Sequence, residues 1–242
     1  MRSKTIFRLL IASAGIAGLS WLVTRLVMAQ TEHPKAFTIH YVETTGSRPP
    51  LDTYYSQRAD GSKVTSRLML FPDQKYYSQK TVYDVASGTK VVLEGGTSSK
   101  TTYHLSKATI ANLTKAPTTC SQDPSPETGT ILGHTVVRIV SEIPSSNRRI
   151  FEAWRAPDFG CTVLRQVVSG FDTTGKLIEL VRKEAVSIAV GDPDATLFQA
   201  PDWTERSPSE VTAELDKKYH QRPISPDVLA AQDRAYRTIP PK

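Results

Sequence analysis

Residues 53–71 have the sequence TYYSQRADGSKVTSRLMLF, in which two β-prone runs are separated by Asp60-Gly61-Ser62. An Asp-Gly pair between such runs is the strongest short-range indication of a β-hairpin, because glycine accepts the positive φ angle of a tight turn. We therefore predict two antiparallel strands here. Arg58 and Asp60 beside the turn are interpreted as turn chemistry at a solvated edge rather than as a binding site.

The same rhythm of short Val-, Tyr- and Thr-rich runs extends in both directions from this hairpin, which favours antiparallel meanders over βαβ units. The predicted strands are residues 36–43, 53–59, 63–71, 75–78, 81–86, 90–94, 100–105, 133–143, 149–155, 162–171 and 176–190. Residues 106–130, which contain three prolines, are predicted to be the least ordered interior segment. The predicted fold class is mainly β with minor α: a curved antiparallel sheet or half-barrel of about ten strands, with short C-terminal helices.

Apolar residues of the later strands fall on both parities, as in Val136, Val137, Ile139 and Val140. Either both faces of the sheet are covered there, or a bulge shifts the register. A sheet curved around an apolar interior and an ordinary sandwich both give this pattern.

Composition divides the chain into four segments. These are a signal peptide or N-terminal membrane anchor (1–29), a spacer (30–35), an antiparallel β domain (36–203) and a polar helical tail (204–242). Leu197 and Phe198 end a short helical turn that is predicted to pack against the sheet. Helices are predicted at 207–219 and 225–237, and both are too polar to be more than tail-like or weakly docked.

The N-terminus has the pattern of an export signal. Residues 1–8 carry three basic side chains and no acid, residues 9–23 are apolar, and cleavage is predicted after Ala29. The alternative is an uncleaved anchor in the inner membrane formed by residues 9–28, whose Arg25 can snorkel to the interface. Both interpretations place the rest of the chain in the periplasm or another extracytoplasmic compartment, with membrane contact through the N-terminal segment.

The formal charge of +6 does not indicate a nucleic-acid partner. Four of the 30 basic residues lie in the first 29 positions, so 26 basic and 24 acidic residues remain. No basic stripe of the kind that binds nucleic acid survives in this remainder.

Cys120 and Cys161 are the only two cysteines. In an oxidising compartment such a pair favours one structural disulfide, and the spacing does not match a redox-active C-x-x-C motif. Closing a loop of this length contributes about 4 kcal/mol on the chain-entropy model.

The sequence shows no catalytic motif, and the prediction is a protein that is not an enzyme, with no catalytic residues, metal site or cofactor. The five histidines lack the helical spacing of a zinc site, and G-x-S-x-G, phosphate-loop and dinucleotide motifs are absent. His40 and His104 fall in predicted strands and are interpreted as sheet-surface residues, although the two can meet across a sheet.

Aromatic residues are more informative, but they identify no ligand-binding residue. Tyr54 and Tyr55 are adjacent in a predicted strand, which places one ring on each face of the sheet. If one face lines a cavity, such rings suit a lipid or acyl chain. Ordinary core packing is the alternative interpretation.

The closing segment 191–201 has the pattern Gly-Asp-Pro-Asp-x-x-Leu-Phe-x-x-Pro, preceded by Trp-Arg-Ala-Pro at 154–157 and a hairpin over 160–180. With the export signal and the run of antiparallel strands, residues 36–203 resemble exported bacterial proteins of the lipoprotein-carrier type, the LolA/LolB and RseB group. The resemblance implies a half-barrel closed by helices, whose concave face can hold an acyl chain. It supplies no binding residues.

Three functional hypotheses follow. The first is a non-enzymatic envelope protein that binds a lipid-like or hydrophobic ligand in the curved sheet. The second is a membrane-anchored periplasmic module that binds an envelope protein through a sheet edge or the C-terminal helices. The third is a hydrolase with a scattered site, which requires a constellation that the sequence does not display.

Overall fold

The computed structural model describes residues 34–46, 48–70, 76–117, 119–143 and 149–219. The predicted signal peptide or anchor and the predicted helix at 225–237 lie outside these residues. In the described part of the chain, no helix is both long enough and apolar enough to cross a membrane.

The described residues form a single open, curved sheet of twelve strands. The strands are β1 (Phe37–Thr45), β2 (Leu51–Gln57), β3 (Lys63–Leu70), β4 (Tyr76–Asp84), β5 (Thr89–Glu94), β6 (Ser99–His104), β7 (Thr128–Ile131), β8 (His134–Ile143), β9 (Arg149–Ala156), β10 (Thr162–Phe171), β11 (Leu177–Val190) and β12 (Thr204–Glu205). The described residues also form two helices, α1 (Lys107–Leu113) and α2 (Pro208–Tyr219). Two 3₁₀ turns lie at Pro157–Phe159 and Ala195–Phe198. The mainly β prediction is confirmed.

Two meanders meet at the first strand. The order across the sheet is β12-β6-β5-β4-β3-β2-β1-β11-β10-β9-β8-β7. Strands β1 to β6 run outward on one side of β1, and β7 to β11 return on the other side until Val190 of β11 lies opposite Phe37 of β1. All pairings are antiparallel except that of β12 with β6. The sheet is therefore one layer of strands, not a sandwich.

The segment 106–130 contains more structure than the sequence analysis predicted. Ser106 caps α1, because its Oγ accepts a hydrogen bond from the Thr109 N–H at 3.1 Å. Strand β7 (Thr128–Ile131) lies at the end of the same segment. The end of α1 packs on the β2–β3 turn so closely that a Cβ on Gly61 would lie 2.4 Å from the Leu113 carbonyl oxygen. Gly61 therefore has two roles, since its φ is +89° and its missing side chain admits the helix.

The largest core cluster lies against the face of β1 that carries Phe37, Ile39 and Tyr41, which we call the inner face. Phe37 is fully buried, and its ring centroid lies 4.9 Å from that of Phe159 in the first 3₁₀ turn. The other members of the cluster are Ile131, Val136, Ala156, Leu164 and Ala185. The opposite, outer face carries Thr38 and His40.

Both explanations offered for the mixed parity hold, at different places. Register shifts interrupt the β1–β11, β9–β10 and β10–β11 pairings, and such bulges bend a sheet. At the start of β8 both faces are covered, because Val136 joins the main core while Val137 packs with Cys120 and Cys161; farther along the strand Val140 is 52% exposed. These two cysteines form the predicted disulfide, with Cα atoms 5.2 Å apart.

Candidate functional site

The register of the strands determines which side chains share the inner face. Tyr41 lies opposite Thr53, Thr53 opposite Arg67, and Arg67 opposite Gln79, without a register shift. On the other side of β1, Glu43 lies opposite Lys183 of β11. A set of polar residues far apart in sequence is therefore gathered on the inner face.

These residues line a groove of about 260 Å³, which we call the inner groove. Its lining comes from six adjacent strands, which together span about 24 Å. The lining residues are Glu43, Thr53, Thr65, Arg67, Gln79, Thr81, Tyr83, Lys90 and Lys183. A smaller depression of about 190 Å³ shares Glu43, Thr53 and Arg67 with it and continues toward Arg48 and Leu51. Since one face of consecutive strands encloses this space, the inner face is the concave one.

Cations outnumber carboxylates in the inner groove, where Arg67, Lys90 and Lys183 face only Glu43. Within the described residues none of these three cations forms a salt bridge. The lysines rest on aromatic rings instead: Lys183 Nζ lies 4.4 Å from the ring centroid of Tyr41, and Lys90 Nζ lies 5.1 Å from that of Tyr103. Burial lowers the pKa of Lys183, whereas the nearby Glu43 carboxylate acts to raise it.

A chain of hydrogen bonds from Arg67 through Gln79 to Glu94 orients the Arg67 side chain. Its Nε donates to Gln79 Oε1 at 2.8 Å, and the Gln79 amide nitrogen donates in turn to the Glu94 carboxylate. Glu94 is buried, and its second oxygen has no hydrogen-bond partner among the described residues. Burial therefore raises the pKa of Glu94, while the Gln79 hydrogen bond and the charge of Arg67 oppose this rise.

The adjacent tyrosines occupy opposite faces, as the sequence predicted. Tyr55 faces inward, with its ring centroid 5.7 Å from that of Phe37, and burial raises the pKa of its hydroxyl. Tyr54 is 46% exposed on the outer face and stacks on the His40 ring at 4.6 Å. The inner-face tyrosines therefore contribute both to the core and to the wall beside the groove.

Two His–Asp pairs occur among the described residues: His134 Nδ1 lies 3.9 Å from Asp158 Oδ2, and a shorter pair lies on the outer face of the sheet. His40 Nε2 is 2.6 Å from Asp52 Oδ1, and Ser187 is the residue opposite His40 in β11. Asp52 is 55% exposed, and the described pockets lie on the inner face instead. His104 is four strands away from this pair, in β6, so the structure does not bring His40 and His104 together.

A second exposed feature is the tip of the β10–β11 hairpin. Phe171, Leu177 and Ile178 are 41%, 49% and 37% exposed. The turn between them is closed by Asp172, whose carboxylate accepts hydrogen bonds from the N–H groups of Thr174 and Lys176. A rigid turn thus presents apolar side chains to solvent.

Sequence reasoning missed the cationic residues of the inner groove. A signal was present, because Lys63, Thr65 and Arg67 alternate along β3 with Val64 and therefore share one face. Polar residues at alternate positions are the expected pattern of a solvated sheet face. The curvature of the sheet, which the resemblance implied without naming any lining residue, helps to turn that face into a groove.

No family model matches this chain, and no curated protein matches it. Among solved structures, it is similar to the RseB-type protein MucB in complex with MucA(peri), with 16% identity and a TM-score of 0.33 over 72% of this chain and 57% of that chain. MucB from a Pseudomonas aeruginosa MucA/MucB complex gives 16% identity and a TM-score of 0.34 over 74% and 60%. A LolA superfamily protein from Nitrosomonas europaea gives 8% identity and a TM-score of 0.18 over 70% and 91%.

These structures belong to the group that the sequence resembles. The chain spans less than two thirds of the MucB chains from the two complexes. Because identities and TM-scores are low, we argue function from the inner groove of this chain alone.

Proposed function

We propose that this chain is an exported, non-enzymatic protein of the bacterial envelope that binds a lipid-like ligand on the inner face of its curved sheet. The inner groove is the observation that supports it: side chains of six adjacent strands converge on one concave space of about 260 Å³. Concave sites with a few convergent polar groups are the usual place for a small ligand.

The chemistry of the groove favours binding over catalysis. Its lining offers hydroxyls, an amide, three cations and one carboxylate, and it includes no histidine or cysteine. The His40–Asp52 pair is on the other face of the sheet. We therefore place the hydrolase hypothesis last.

An apolar row beside the groove offers room for a lipid tail. Val181 lies opposite Val168, which lies opposite Phe151, and all three are half-buried. Thr45 of β1 lies opposite Val181, two positions along the strand from Glu43. A ligand with its polar end in the groove can extend its apolar end along this row.

Export and the ligand class belong together in this proposal. A leader or anchor at residues 1–29 carries the chain into the envelope, where the Cys120–Cys161 disulfide forms and persists. The same compartment holds lipids in transit between membranes. The division into a β domain ending at residue 203 and a tail beginning at 204 remains part of the prediction.

Native mass spectrometry of the purified full chain tests the proposal. We expect co-purified lipid, and we expect Thr65→Trp, which fills the groove, to reduce its amount at least tenfold. Thr173→Trp in the exposed β10–β11 turn is the matched control and should retain the lipid. A protein that is empty after gentle purification, and that takes up no lipid from vesicles, would contradict this function.

The exposed hairpin tip favours a second candidate, in which the chain is a module that binds an envelope protein. Photo-crosslinking from position 173 in cells should then give a protein adduct. The double variant Phe171→Ser/Leu177→Ser should abolish that adduct and leave lipid binding unchanged. Point substitutions are preferable to truncation after Trp203, because Val211 and Leu215 of α2 are buried and part of the fold.

A further inference from the structure

The inner groove gathers three cations whose charge the fold neutralises only in part. Arg67, Lys90 and Lys183 come from three different strands, and within the described residues none of them has a salt-bridge partner. Surface lysines and arginines are commonly solvated, but these point into one concave space. The charge of Arg67 also disfavours protonation of Lys183, so the two cations affect each other.

Arg67 is prepared to bind an anion. Two of its nitrogens, Nε and one Nη, donate to Gln79, which Glu94 holds from behind. The remaining N–H groups of the guanidinium are then oriented by the fold and need little further ordering when a ligand binds. The hydroxyls of Thr53 and Thr65 line the same space and add neutral donors.

The acidic residues near the groove do not neutralise all three of its cations. Glu43 and Glu94 are the acidic residues beside Arg67, and the charge of Arg67 acts on Glu94 behind the Gln79 amide. Neither neutralises Lys90, which lies at the other end of the groove over Tyr83 and Tyr103. Positive charge therefore extends along the length of the groove.

We propose that the inner groove is an oxyanion site that holds a phosphate-type group of the ligand between Arg67 and Lys183. This inference rests on the proposed function and specifies the head of the lipid-like ligand. Charge-assisted hydrogen bonds from arginine and lysine are the strong contacts that phosphate groups accept in proteins.

Isothermal titration of the full chain with three probes tests the site. The probes are dodecyl phosphate, dodecyl maltoside and inorganic phosphate, so that two share a tail and two share a phosphate. We expect dodecyl phosphate to bind at least ten times more tightly than dodecyl maltoside. Arg67→Gln and Lys183→Gln should each weaken dodecyl phosphate at least tenfold and leave dodecyl maltoside unchanged.

Lys176→Gln, at the exposed β10–β11 turn, is the matched control and should bind as the native chain does. Thermal unfolding of each variant shows whether it is folded, and Arg67→Lys, which keeps the charge, should retain part of the affinity. Inorganic phosphate binding as tightly as dodecyl phosphate, and lost in Arg67→Gln, would support the oxyanion site with free phosphate as its source.

The failures are distinguishable. Equal binding of both amphiphiles, unaffected by Arg67→Gln and Lys183→Gln, overturns the oxyanion site and leaves the lipid-binding function standing. Binding of neither amphiphile overturns the lipid-binding function. If inorganic phosphate then also fails to bind, the oxyanion site falls with it.

Discussion

The two halves of the sheet bury opposite faces. Around β1 and its C-terminal neighbours, Phe37 and Ile39 are buried on the inner face under Phe159. In β3 and β4, Val64 and Val82 are buried on the outer face, at 4% and 2% exposure, and the 3₁₀ turn Ala195–Phe198 packs on β3. One sheet thus has two cores on opposite faces.

This switch of the buried face explains why a groove exists. Where the core lies on the outer face, the inner face of β3 and β4 carries polar side chains, among them Arg67, Gln79 and Thr81. Contacts from the C-terminal segment fix the arrangement: the Arg58 guanidinium lies 4.1 Å above the Phe198 ring, and Lys80 Nζ donates to the Gln199 carbonyl at 3.2 Å. The groove is a consequence of where the covering elements pack.

The largest expected effect contrasts a core residue with a groove residue on the same inner face. Phe37→Ala should lower the free energy of unfolding by about 3–5 kcal/mol, because it removes a fully buried ring and leaves a cavity. Thr65→Ala in the groove should change it by about 0.5 kcal/mol or less. Urea denaturation measures both, and equal losses would show that the inner face is not divided in this way.

The disulfide stabilises only one of the two halves directly. Replacing Cys120 and Cys161 by alanine should cost about 2–4 kcal/mol, since the bridge closes a segment of 41 residues in the unfolded chain. Dithiothreitol should lower the Tm of the native chain and leave that of the double variant unchanged. Free alkylation of both thiols in the folded native chain, with no change in Tm, would remove the bridge from the account.

A glycine pair separates backbone strain from close packing. Gly61→Ala in the β2–β3 turn should cost about 1–3 kcal/mol, since the residue has φ of +89° and its Cβ would meet the Leu113 carbonyl oxygen. Gly175→Ala has a similar φ of +82°, but nothing in the described structure lies within 4 Å of its Cβ. Gly175→Ala should therefore destabilise the chain less than Gly61→Ala, and the difference between the two losses measures the contact between α1 and the β2–β3 turn. Equal Tm losses would mean that α1 does not press on the turn.

The sequence predicted most long strands, their hairpin turns and the disulfide, because each depends on local chemistry, but it divided β4 (Tyr76–Asp84) into two strands at 75–78 and 81–86. The Asp60-Gly61 turn and the inward and outward tyrosines at 55 and 54 are examples. It did not predict α1, β7 and β12, since segments of two to seven residues carry too little periodicity. The inner groove was inaccessible for a different reason: Arg67 and Lys183 come to the same groove only through the pairing of β1 with β11, which are more than 130 residues apart in the sequence.

The smallest effect concerns pH, and it has opposite signs at two carboxylates. Because burial raises the pKa of Glu94, the folded state holds its proton to a higher pH than the unfolded state, and stability falls as pH rises through that window. Glu94→Gln, which resembles the protonated form, should therefore gain stability over the native chain as pH rises from 4 to 8.

Asp172 provides the opposite case, because hydrogen bonds from Thr174 and Lys176 lower its pKa. Its contribution is present at neutral pH and lost in acid, so Asp172→Asn should be destabilising at pH 7 and close to native below the folded pKa. Tm measured across pH for the three proteins checks both signs, and a Glu94→Gln curve parallel to that of the native chain would show that burial does not disfavour the ionised form of Glu94.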